Sequence, residues 1–439
     1  MTKKLIIILI IISIVAAVLW VGFLIVLGPK TFQPLEEEGD GFREFPSLGG
    51  TRQSAPEEET APVTPSSPSG QTTPETVAPV ALPKLWQITR NPTAGLTSLE
   101  KERPIIQGES EIQEGTTTAK EKTEEFALVR YAERATGHVF EVFADQTESR
   151  RVSNTTIPYV QEALFGNRGE SVVLRYVGND EKSIESFSGT LPKEIEGGDS
   201  TLELKGGFLQ TNSQALSVSP DTLKMFYMYP FGDGVVGVTS DLSGAKKTQV
   251  FDSAFTEWLA QWASTRIIAL QTKPSWSIPG YLYALDTQTK NTTRVLGNIQ
   301  GLTSLMSPNG KLALFSRSTQ KGFKLAVYDL EKNQTTDLNA VTLPEKCVWL
   351  ADSINLYCSV PVSLPTGEYP DDWYKGLTGF TDAVWKVNIK TLVFDLISSP
   401  LQEVSADIDG INLTLSPKND YLFFINKKDS SLWGLKLTD

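Results

Sequence analysis

Histidine and cysteine are nearly missing from this chain: His138 is the one histidine, and Cys347 and Cys358 are the two cysteines, among 439 residues. A zinc centre draws on several Cys or His ligands, so it cannot be assembled, and a Ser-His-Asp triad would have His138 as its sole possible base. The chain also lacks a G-x-S-x-G elbow, which removes the hydrolase domain that accompanies some ring-shaped β proteins. A cationic excess is missing too. Lys and Arg number 40 against 52 Asp and Glu, a formal net charge of -12, so a phosphate-backbone partner such as nucleic acid is not expected. Residues 407–410, Asp-Ile-Asp-Gly, open like a calcium loop, but position twelve holds Lys418 where a bidentate Glu is required. They read instead as the turn before a final repeat. No cofactor and no metal are expected.

Long apolar runs are absent after the first thirty residues, which makes the first one distinctive. Residues 5–27 are 23 consecutive uncharged residues, enough for a helix to cross about 30 Å of hydrocarbon. The run is longer than the core of a cleaved signal peptide and has no A-x-A pattern behind it, so it reads as an uncleaved single span. Lys3 and Lys4 precede it and acidic residues follow. The positive-inside rule then leaves residues 1–4 in the cytoplasm and the rest outside the cell membrane. Residues 28–83 carry no hydrophobic periodicity. Ten of the 25 prolines lie there, with Ser, Thr and Glu, so this stretch is expected to be a disordered stalk.

From residue 84 to 439 the composition is globular and repetitive. Residues 305–338 show the unit: a strand, the turn Ser307-Pro308-Asn309-Gly310, a second strand, a third strand alternating Leu325, Val327 and Tyr328, then a polar turn and a short fourth strand. Four antiparallel strands in about 45 residues make one propeller blade. The same grammar gives six complete blades and a seventh with three strands. The missing strand is expected from residues 84–89, which have no hairpin partner of their own and would close the ring. The fold class is thus all-β, a seven-bladed β-propeller of four-stranded antiparallel blades, with a flexible insertion at residues 100–125 and the outer strand of the second blade at residues 201–204.

The segments LSVSPDTLKMFY, LMSPNGKLALF and LTLSPKNDYLFF resemble the S-P-D-G-K turn and apolar strand of TolB-like and related WD-type propeller repeats. YLYALDTQTK, KLAVYDLEKN and VWKVNIKTL are similar to the strand and D-x-x-T-G turn that end such repeats. The resemblance implies a propeller with a binding role.

Two further expectations concern particular side chains. If Asp352-Ser353 form a two-residue turn, Cys347 and Cys358 stand directly opposite on paired strands, where an extracytoplasmic disulfide can form; two buried thiols are the alternative. His138 follows a tight turn and reads as structural or solvated. The candidate ligand site lies on loops joining second to third strands, at residues 229–234, 273–280 and 361–382. These carry Phe231, Trp276, Tyr369, Trp373 and Tyr374 beside Asp233, Asp371 and Asp372, a combination suited to sugar rings or a peptide unless the rings pack the loops themselves. The leading expectation is a membrane-anchored, non-catalytic module holding a protein, peptide or envelope glycan. The alternatives are a carbohydrate-active propeller using loop carboxylates, or an assembly subunit pairing through its span.

Overall fold

The computed structural model describes residues 82–104, 123–193, 203–320 and 322–438. Among them are seven four-stranded antiparallel sheets arranged as a propeller. The first strands of blades six, seven, one, two, three and four contact one another in turn around the axis. The residue 5–27 run and the stalk fall outside the described residues, among which no helix is long and apolar enough to cross a membrane.

The three Ser-Pro turns share one hydrogen-bond device. The hydroxyl of Ser219 accepts from Lys224 N–H at 3.0 Å and that of Ser307 from Leu312 N–H at 3.0 Å. Ser416 accepts from Tyr421 N–H at 2.9 Å. Each serine also donates to a side chain of its own turn, Asp221, Asn309 or Asp420. The turns after third strands use the complementary device, an Asx turn. Asp286 accepts from Gln288 and Thr289 N–H, Asp329 from Glu331 and Lys332, and Asn388 from Lys390 and Thr391. A side chain thereby satisfies the amides that each reversal takes out of the ladder.

The ring closes as expected. The last sheet runs, from rim to axis, Leu85–Thr89, Leu432–Lys436, Tyr421–Asn426 and Gly410–Leu415. Leu85 opposes Leu435 and Trp86 opposes Gly434. Leu85 enters the core between the sixth and seventh blades with Val384 and Leu422, whereas Trp86 enters the core between the seventh and first with Val129 and Tyr131.

Three expectations on boundaries are corrected. Residues 100–104 and 123–125 belong to a long hairpin, strands Thr93–Pro104 and Thr123–Glu133, so only residues 105–122 remain of the insertion, outside the described residues. The outer strand of the second blade is Lys205–Phe208 rather than residues 201–204. Residues Thr201 to Leu204 have the better strand propensity, but Leu204 is buried, and Gly206 alone permits the approach to Ser188: a Cβ there would lie 1.9 Å from its carbonyl oxygen. Residues 229–234 are no long loop. The strand Lys224–Phe231 pairs through to Gly234, leaving a tight turn at Gly232-Asp233.

In the sixth blade, Cys347 pairs with Cys358 across the strands Cys347–Trp349 and Asn355–Pro361, with the sulfurs bonded at 2.11 Å. His138 is half-buried with its Nε2 3.0 Å from Thr156 Oγ1, and burial followed by Arg151 lowers its pKa.

Candidate functional site

Strand polarity places the turns between second and third strands on one face, here the upper face, together with the junctions between blades. The chain enters the ring at Leu85, the lower end of its rim strand. The upper face is therefore the one opposite that entrance.

The sixth blade dominates this face. Its loop, residues 362–381, is pinched at the base by Val362 N–H donating to Thr381 O at 2.8 Å. It contains one helical turn, Asp371–Tyr374. Asp372 is engaged within the loop, its Oδ2 accepting from Glu368 N–H at 2.7 Å. Asp371 is engaged between blades. Its Oδ2 accepts from Trp276 N–H at 2.6 Å and its Oδ1 from Ser275 Oγ at 3.3 Å, which ties the loop to the fourth blade. Between them lies the fifth blade, whose short hairpin the loop overlies: Ser318 Oγ donates to Tyr369 O at 2.6 Å, and Phe323 meets the Tyr369 ring at 5.2 Å.

Tyr369 and Trp373, expected to be exposed, are 2% and 3% exposed. They form the loop's own core with Phe323, Leu343 and Phe380. Burying them leaves Trp276 and Tyr374 on the outside, each 40% exposed, joined by Ile278, Leu377 and Phe255, which sequence reasoning missed. Phe231 is also exposed, at the tip of the third blade. Contacts link these positions into one ledge. Gly234 abuts Ser253 and Ala254, the Phe255 ring meets Trp258 at 6.4 Å, and Glu257 O accepts from Lys273 N–H at 3.2 Å. Trp276 then reaches Asp371, one turn from Tyr374.

Beneath the loop lies an ion cluster that sequence reasoning also missed. Lys346, Asp382 and Asp409 are at most 2% exposed. Lys346 Nζ donates to Asp409 Oδ1, lies 2.7 Å from Asp382 Oδ2, and stands 5.4 and 5.3 Å from the Trp373 and Phe380 ring centres. Asp409 Oδ2 accepts from Trp373 Nε1 at 2.9 Å and from Phe380 N–H at 3.0 Å. Asp382 Oδ2 accepts from Gly410 N–H at 2.7 Å. Charge-assisted bonds and cation–π contact thus fasten the loop to the sixth and seventh blades in a buried site. Asp407 is also more than a turn residue: its Oδ1 lies 2.6 Å from Lys428 Nζ and accepts from Thr381 Oγ1 at 2.6 Å.

Burial, and then the Asp409 charge, push the Asp382 carboxyl up to about 6 despite the opposing Lys346. A carboxyl raised in the folded state contributes stability as pH falls through that value, because the native protein binds the proton more tightly than the unfolded chain. Between pH 7.5 and pH 5 the contribution should grow by about 1 kcal/mol. Urea midpoints at the two pH values should show this gain in the wild type and not in Asp382→Asn. An equal gain in both would assign the effect to other groups.

No protein-family model matches the chain, and no curated protein sequence matches it. Among solved structures it is similar to an oligogalacturonate lyase in complex with manganese, at 9% identity and TM-score 0.45 over 71% of this chain and 86% of that one. It is similar to TolB from Acinetobacter baumannii at 10% identity and TM-score 0.36, over 78% of this chain and 79% of that one. The β-propeller domain of the trilobed protease from Pyrococcus furiosus gives 10% identity and TM-score 0.46, over 72% and 94%. The ligand is argued from the residues, since likenesses this distant say nothing of it.

Proposed function

We propose that this protein is a non-catalytic docking module, held outside the cell membrane by residues 5–27, that binds a partner protein on the upper face of blades three to six. The observation that carries this reading is the sixth-blade loop. A buried ion cluster and an aromatic core hold it, and it crosses the fifth blade to place Tyr374 and Leu377 in line with Trp276. A loop that long is usually functional, and rigid exposed rings make effective contact surfaces. The glycosidase alternative would draw its acid and base from Asp233, Asp371 and Asp372, and of these Asp371 and Asp372 are engaged by main-chain amides.

The test is photocrosslinking in cells, with a photoreactive side chain at position 377 or, as a control on the lower face, at position 311. One discrete adduct from 377, absent from 311 and reduced about tenfold by Trp276→Ala, is the expected result, since loss of an aromatic anchor at an interface costs 1–2 kcal/mol or more. Identical adducts from both positions, or none from 377, would remove the upper face from consideration.

A further inference from the structure

The ledge has a charge as well as an apolar character, and the two together define its partner. Asp233, Asp252 and Glu368 are exposed along it, and among the described residues none of the three forms an ion pair. Of the other carboxylates there, Glu257 and Asp371 face Lys273 and Lys375, Asp372 accepts from the Glu368 N–H, and Glu345 accepts from the Tyr374 hydroxyl. The ledge therefore carries unneutralised negative charge between exposed Phe231, Phe255, Trp276 and Leu377.

The shape of the ledge also matters. A groove of about 570 Å³ is lined by Val341, Val360, Trp385 and Phe394, with Val362 at the base of the sixth-blade loop also bordering it. An extended polypeptide can lie along the ledge and meet its exposed rings in turn. Resting on the reading of the upper face as the docking face, we infer that its partner is a cationic, amphipathic segment of another protein. The apolar side chains of that segment sit on the rings, and its Lys or Arg side chains sit on Asp233, Asp252 and Glu368. Cations suit both parts of the surface, since a guanidinium or ammonium is attracted to carboxylates and to aromatic faces alike. An acidic segment or an anionic membrane would meet like charge.

The experiment uses the full chain in detergent micelles, captured on a sensor and read against micelles without protein. The probes are a twelve-residue peptide of alternating Lys and Phe and its Glu/Phe counterpart, with anionic vesicles as a third arm. The Lys/Phe peptide should bind about tenfold more tightly than the Glu/Phe peptide at low salt, and the difference should shrink as salt is raised. The triple variant Asp233→Asn, Asp252→Asn, Glu368→Gln should erase most of that preference, while Lys311→Gln on the lower face should leave it unchanged. A preference that survives the triple variant would reduce the attraction to overall net charge and overturn the inference, as would equal binding of both peptides or stronger binding to anionic vesicles. Photocrosslinking at 377 that succeeds alongside such a result would leave the docking face standing and discard only its charge preference.

Discussion

Asp409→Ala should lower the free energy of unfolding by about 3–5 kcal/mol, the usual loss when one member of a buried ion pair is removed. Three donors lose an acceptor at once: the Lys346 ammonium, the Trp373 indole N–H and the Phe380 amide. Lys346 keeps Asp382 at 2.7 Å, so it is not stranded altogether. The two neutral donors, however, are buried with no other partner, and each unsatisfied one costs about 1–3 kcal/mol. Because both belong to the sixth-blade loop, the damage should be local as well as global. Trypsin should cleave after Lys375 faster in the variant under native conditions, before the ring unfolds. Lys346→Met should destabilise by a comparable amount at pH 7.5, since it leaves two carboxylates facing each other in a buried site. It should recover part of that loss at pH 5, where protonation of Asp382 relieves the repulsion. A change in urea midpoint equivalent to less than about 1 kcal/mol for Asp409→Ala would mean that the loop is held by its aromatic core alone.

The ring was legible because a blade is a local object. Ser307-Pro308-Asn309-Gly310 and Asp329 mark its turns through bonds made within five residues, and the alternation of Leu325, Val327 and Tyr328 marks a strand. The closing strand was legible by subtraction, as a strand without a hairpin partner facing a blade that lacked one. The ledge was legible only in part. Trp276 and Tyr374 reach solvent, whereas Tyr369 and Trp373 do not, and nothing in spacing separates the two pairs. The distinction depends on Phe323 and Leu343 arriving from the fifth blade and the junction that follows it to bury the latter pair. Four aromatic residues within the 22 positions of 361–382 are enough to give a loop its own core, a signal available from composition alone. The ion cluster left no such trace. Lys346, Asp382 and Asp409 are each ordinary charged residues beside a strand end, and only the meeting of two blade junctions with the foot of a loop makes them a buried triad.

Removing Leu85 through Ile88 should prevent the domain from folding, and the reason lies in the double role of the closing strand. Leu85 and Trp86 point to opposite sides of the last sheet and complete two different inter-blade cores. Truncating a buried Leu costs about 2–5 kcal/mol and a buried Trp about 3–5 kcal/mol. Their sum, before any ladder bond is counted, reaches the 5–15 kcal/mol that usually separates a folded domain from its unfolded chain. The deletion also exposes the edge of Leu432–Lys436, which invites association between molecules. A subtler pair of substitutions isolates the closure contact itself. Trp86 lies across Gly434, where a Cβ would come within 2.4 Å of the indole ring. Gly434→Val should therefore force the ring away and destabilise by about 1–3 kcal/mol or more, as overpacking does. Trp86→Ala should cost about 3–5 kcal/mol through the cavity it leaves. Combined, the two should be markedly less damaging than their sum, because the valine can occupy space the indole vacates. Thermal and urea unfolding of the four proteins of this cycle gives the coupling directly. Strict additivity would show that Trp86 and Gly434 act separately, and the ring would then owe its closure to the backbone ladder rather than to this contact.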